Sequence, residues 1–175
     1  MPHPPRYFDD DPYLHRVREI ALTLPSAREK ISHGRPNFFT VKVFAMYGAV
    51  VKGDHASQAL ARSVVILPDA AERAALLADR RFVVPGYVGA YGWLALNLAN
   101  GIPDWTEVAE LIDRAVAQAQ RVLEEARKLR QVLLAVGPTM PAHADNSMRA
   151  AGLDALAVEK SAQLVLGNLK EIKPR

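Results

Sequence analysis

The chain has 175 residues, half of them hydrophobic and 23% charged, enough to bury one core of ordinary size. Formal net charge is +3, and there is no cysteine, which excludes disulfides, thiolate catalysis and cysteine-ligated metals. The start, MPHPPRYFDDDP, carries no apolar run, and nothing approaches the roughly 18 continuous apolar residues of a membrane span; a cytoplasmic protein with no membrane partner is expected.

Residues 1–11, Pro-rich and then acidic, are expected to form a flexible arm. Asp11-Pro12 reads as a helix cap followed by proline at the first helical position. Leu14, Val17, Ala21 and Leu24 recur at helical spacing until Pro25, which disfavours helical geometry in the residue before it. Residues 26–37 read as a polar connection. Residues 38–51, rich in β-branched and aromatic side chains, read as one strand or two. If that strand is unbroken, Phe39, Val41, Val43, Ala45 and Tyr47 share one face, and Phe38, Thr40, Lys42, Phe44 and Met46 share the other.

A loop at 53–63 leads to a buried strand at 63–67. Asp69, with Glu72 three residues on, predicts a capped helix reaching about Asp79. Residues 82–91 form a Gly/Pro/Tyr loop, and 92–98 alternate like a strand. Asp104 and Glu107 mark a second capped start, and a sustained apolar stripe from Trp105 to Leu123 predicts a long helix ending near Val136, before Gly137-Pro138. Trp105 is expected to staple this helix to the sheet. Residues 145–172 again show helical periodicity. The order of elements predicts an α+β fold, an antiparallel sheet covered by helices, with a domain at 12–136 and a C-terminal helical extension at 137–175. That amphipathic extension is expected either to fold back on the domain or to form a homodimer seam.

Four stretches within about residues 12–120 resemble the MmcQ/YjbR family: LPSAREKISHGRPNFFTVKVFAMYG, VVILPDAAERAALL, PGYVGAYGWLALNL and DWTEVAELIDRA. The resemblance implies a CyaY-like fold, akin to double-wing nucleic-acid binders, and a DNA-binding role. The family hairpin usually turns through a glycine–lysine pair; TVKVF here has no glycine.

Residues 12–62 carry eight cations against three anions, an electrostatic footprint suited to phosphate. Within it Arg35, Lys42, Lys52 and Arg62 lie near or between strands and are the candidate nucleic-acid contacts; guarding sheet edges is the alternative role. Phe39, Tyr87, Tyr91 and Trp93 are the candidates for the other reading, a pocket between sheet and helices that takes a small apolar or aromatic ligand. The loop GYVGAYG lacks the spacing and the following helix of a dinucleotide loop; it is expected to pack its own tyrosines. No histidines pair at metal-ligand spacing, and no serine sits in a nucleophile elbow, so no metal, cofactor or enzymatic activity is expected.

Overall fold

The computed structural model describes residues 4–136, with side chains to residue 131. The chain divides into two compact units, Met1–Arg121 and Val122–Arg175. Everything below concerns the first; of the second, residues 122–136 continue the last helix, and the extension expected at 137–175, with its homodimer seam, lies outside the described residues. Among the described residues, no helix is long and apolar enough to cross a membrane.

The elements run α1 (Pro12–Leu22), β1 (Arg28–Ser32), β2 (Arg35–Phe39), β3 (Val43–Tyr47), β4 (Ser63–Ile66), α2 (Ala70–Ala78), β5 (Phe82–Val83), a 3-10 turn (Val88–Tyr91), β6 (Leu94–Asn97) and α3 (Trp105–Val136). The strands form one antiparallel sheet in the order β1-β2-β3-β4-β6-β5. The α+β class read from the sequence is the class observed.

Each helix starts where an aspartate can accept orphan backbone N–H groups. Tyr13 N donates to Asp11 Oδ1 at 3.0 Å, Glu72 N to Asp69 Oδ1 at 2.8 Å, and Thr106 N to Asp104 Oδ1 at 2.9 Å. The Glu72 carboxylate does not reach back to its own cap; it accepts from Arg114 Nε at 2.6 Å, joining α2 to α3. Trp105 packs against the core between sheet and helices and also ties α3 to α1, its ring 6.3 Å from that of Tyr13.

Of the two readings of 38–51, one strand or two, the second holds: the segment carries the end of β2 and all of β3, and a further hairpin precedes it. The first hairpin joins β1 to β2 through His33 and Gly34, both at positive φ (52° and 74°), the geometry of a two-residue hairpin whose twist matches its strands. The second joins β2 to β3 through residues 40–42. No residue there has positive φ, so the loop closes, with Thr40 N donating to Lys42 O at 3.2 Å, without the family's glycine. A bulge beside this loop, where Phe38 pairs with Ala45 but Phe39 with Val43, inserts Phe44 as the extra residue. The two faces expected for an unbroken strand are therefore wrong: Phe38, Phe44, Ala45 and Tyr47 all join one core.

That core lies between the sheet and the helices. Leu14 and Val17 of α1, and Leu111 and Ile112 of α3, pack with Phe38, Tyr47, Val64 and Leu94. On the opposite face, Met46, Val65 and Ala95 follow one another across paired strands, covered by Ala49, Leu60 and Trp93. Among the described residues, the Ser63 hydroxyl is buried without a hydrogen-bond partner, and the Tyr47 hydroxyl is buried beside the Asp11 carboxylate. Burial first, and then the nearby Asp11 charge, raise the Tyr47 hydroxyl above the ordinary tyrosine range. An unsatisfied buried hydroxyl is a cost, so Ser63→Ala is expected to leave the unfolding free energy unchanged or raise it, by up to about 1 kcal/mol; urea denaturation measures it.

Candidate functional site

The register of the first hairpin decides which side chains share a surface. Arg28 lies opposite Phe39, Lys30 opposite Asn37 and Ser32 opposite Arg35, so these six occupy the sheet face away from α1 and α3. Glu29 points the other way, bound to Arg18 of α1 at 2.9 Å. The Arg28 guanidinium and the Lys30 ammonium each lie 5.3 Å from the centre of the Phe39 ring, a distance at which the ring quadrupole attracts a cation. Both cations are exposed.

Charge pairing engages many of the domain's arginines but leaves this face free of it, as it does, among the described residues, Lys42, Lys52, Arg73 and Arg80. Arg16, Arg18, Arg62, Arg81, Arg114 and Arg121 each have a carboxylate within 4 Å. Among the described residues, Arg28, Lys30 and Arg35 have none.

Arg35 is half-buried at the end of β2. Its Nη1 donates to Arg6 O at 3.4 Å, and burial, then the charge of Arg6, push its guanidinium below its ordinary pKa. Residues 4–8, read from the sequence as a loose arm, bring Arg6 there: Arg6 N donates to Gly34 O at 2.8 Å. Gly48 makes room for Arg35. A Cβ built there stands 2.2 Å from Arg35 Nη1 and 2.9 Å from Ala61 O, at φ +75°. Gly48→Ala is therefore expected to cost about 1–3 kcal/mol of stability, and less in an Arg35→Gln background, where the clashing group is gone; paired denaturation curves check both.

Two cavities meet at Arg6 and Arg35. One, of about 720 Å³, adds Asp11, Tyr47, His55 and Arg62. The other, of about 470 Å³, lies on the outer sheet face under the loops, with Asn37, Met46, Val50, Val65, Tyr87 and Val88 in its wall.

The structure brings only some of the predicted contacts together. Arg35 and Arg62 border the larger cavity, but Arg62 is engaged, donating to Asp11 Oδ2 at 3.0 Å and lying over the Tyr13 ring. Lys42 sits in the loop at the far end of β2 from Arg35, and Lys52 in the exposed turn at 51–54. Of the predicted ring set, Tyr87 alone lines the smaller cavity. Phe39 underlies Arg28 and Lys30, Trp93 packs on the second cluster, and Tyr91 is 65% exposed. Among the described residues, the space between sheet and helices is filled by core side chains, and the smaller cavity is on the other face. Nor does the GYVGAYG loop pack its own tyrosines: Tyr87, 66% exposed, holds His55 instead, Oη to Nδ1 at 2.9 Å. Arg28, Lys30 and Arg6 were missed from the sequence because the first strand was read as a connection and the arm as loose.

Fold and site together define a small α+β domain with a basic, ring-bearing sheet face. A family model described as YjbR matches residues 22–116, more than half of the chain, and the chain belongs to the YjbR family. No curated protein and no solved structure is a significant match.

Proposed function

We propose that this is a non-enzymatic, cytoplasmic DNA-binding protein that grips phosphates through the outer face of its first hairpin. The observation that carries the reading is the gathering of Arg28, Lys30 and Arg35 on one exposed sheet face without a carboxylate among them. Cations without a carboxylate partner are free to exchange counterions for phosphates, which supplies most of sequence-independent affinity. Phe39, held at the surface between two of them, adds a ring on which an unpaired base can stack. The DNA-binding role and CyaY-like, double-wing-like fold implied by the resemblance belong to this proposal.

The expected contacts are Arg28, Lys30 and Arg35, flanked by Lys42 at the second hairpin's tip and Lys52 in the exposed turn. Arg62 is reassigned: its charge is spent on Asp11. Edge protection explains charge along β1, the outermost strand, but not why both cations lie on the same face over one ring. Fluorescence anisotropy on a short duplex, at low and at moderate salt, tests the reading. Binding that weakens steeply with salt is expected; no binding at low salt overturns it.

A further inference from the structure

The 470 Å³ cavity has two unlike ends. One is apolar: Met46 and Val65 from the sheet, Val50 and Val88 from the covering loops. The other carries Arg6 and Arg35, and among the described residues no carboxylate lines the cavity. Two arginines thus border one cavity close enough for the charge of Arg6 to act on Arg35, which is half-buried, and among the described residues neither has a carboxylate partner. Such a pair is electrostatically unfavourable unless an anion joins it, and arginine's fork of donors matches a carboxylate in particular.

A third observation concerns Tyr87, which borders the same cavity. Its backbone has φ 57° and ψ −76°, with Val88 N donating to Gly86 O at 2.7 Å. This is the rare, strained form of the three-residue turn, and a tyrosine tolerates it poorly where glycine would not. Gly86 N, donating to Val50 O at 2.7 Å, anchors the turn against the cavity's apolar loop. The strain holds Tyr87 at the cavity wall.

We propose that this cavity binds a small apolar carboxylic acid, its carboxylate between Arg6 and Arg35 and its body against Met46, Val65 and Val88 beside Tyr87. The volume falls within the range of small-molecule sites. The site is distinct from the Arg28–Lys30–Phe39 surface, although Arg35 borders both, so an occupant would compete with phosphate for that one side chain.

The test is an NMR titration of the isotope-labelled full chain with 2-naphthoate and, separately, with its neutral analogue 2-naphthamide. No nucleic acid is present, so the outcome is independent of the DNA-binding reading. Naphthoate is expected to shift the amides of Asn37, Met46, Val65 and Tyr87 and to bind about tenfold more tightly than the amide, the margin of a charge-assisted bidentate contact. Arg35→Gln, which removes an unpaired cation, is expected to erase that preference; Arg6→Gln, on the surface arm, should reduce it. Tyr87→Gly relieves the turn and is expected to weaken both probes several-fold in a folded protein. Equal affinity for the two probes, shifts confined to other strands, or no binding at millimolar concentrations overturns the proposal.

Discussion

Replacing Arg28, Lys30 and Arg35 together with glutamine is expected to lower affinity for a short duplex by two to three orders of magnitude at about 0.1 M salt, and to flatten the dependence of log K on log salt by about 2 to 3. Each phosphate contact contributes a slope of about 0.9, equivalent to roughly eightfold in affinity at that salt, and three contacts compound. The fold should survive, because none of the three side chains has a carboxylate partner among the described residues, and Arg35 is repelled by Arg6. Arg62→Gln should do the opposite. It strips the partner from Asp11, only 6% exposed and the cap of α1, so stability falls while the salt slope stays within experimental error. Affinity measured across a salt series, alongside denaturation, separates the two. A triple variant with the parent's slope would show that phosphates are held elsewhere.

The second large effect is on stability, and it separates two adjacent phenylalanines. Phe38 is fully buried between β2 and the helices, whereas Phe39 is half-buried on the outer face under two cations. Phe38→Ala is expected to cost about 3–5 kcal/mol, the lost transfer energy together with the cavity left behind. That is a large part of the 5–15 kcal/mol typical of a domain. Phe39→Ala should cost about 1 kcal/mol or less, since it empties no enclosed volume. Its effect should appear in nucleic-acid binding, through lost stacking and through release of Arg28 and Lys30 from a shared ring. Chemical denaturation of both variants decides the point; equal losses would mean that Phe39 belongs to the core.

The same two residues show how far the sequence could be read. Helix starts were legible because caps are local: Asp11-Pro12, Asp69 with Glu72, and Asp104 with Glu107 each announce themselves within four residues. The strands with continuous apolar character, 63–66 and 94–97, were legible for a similar reason. REKIS was not, since an edge strand with Arg28, Lys30 and Ser32 on one face looks like a polar connection until its hairpin is placed. The His33-Gly34 pair was the available signal; histidine, like asparagine, tolerates the left-handed conformation better than most residues. The faces of β3 were lost to the bulge, a single-residue slip that reverses alternation.

Of the candidate site, Arg35 was found and the cations next to it were not. The engagement of Arg62 by Asp11, 51 residues away in the chain, leaves no trace in local pattern, nor does the approach of Arg6 to Arg35 across the His33-Gly34 turn. These depend on how the arm and the loop at 48–62 cross the end of the sheet. Gly48 hints at that crossing by its positive φ and its place under Arg35.

Acid should loosen one peripheral network. Arg81, hydrogen-bonded by side chain and backbone, holds the Asp79 carboxylate below its ordinary pKa, and the same guanidinium binds Glu107 at 2.6 Å. A depressed carboxylate stabilises the fold above its unfolded pKa and loses that contribution as pH falls through the folded one. The tie from the end of α2 to α3 should therefore weaken below about pH 4, while the sheet face keeps its cations charged.

Amide chemical-shift mapping with a short duplex at low salt shows whether the outer face of the first hairpin meets nucleic acid. Shifts are expected to concentrate in residues 28–39, with smaller ones near Lys42 and Lys52, and α1 and the first turns of α3 should stay unmoved. Shifts centred on the helix-covered side, or none at all, would contradict that contact.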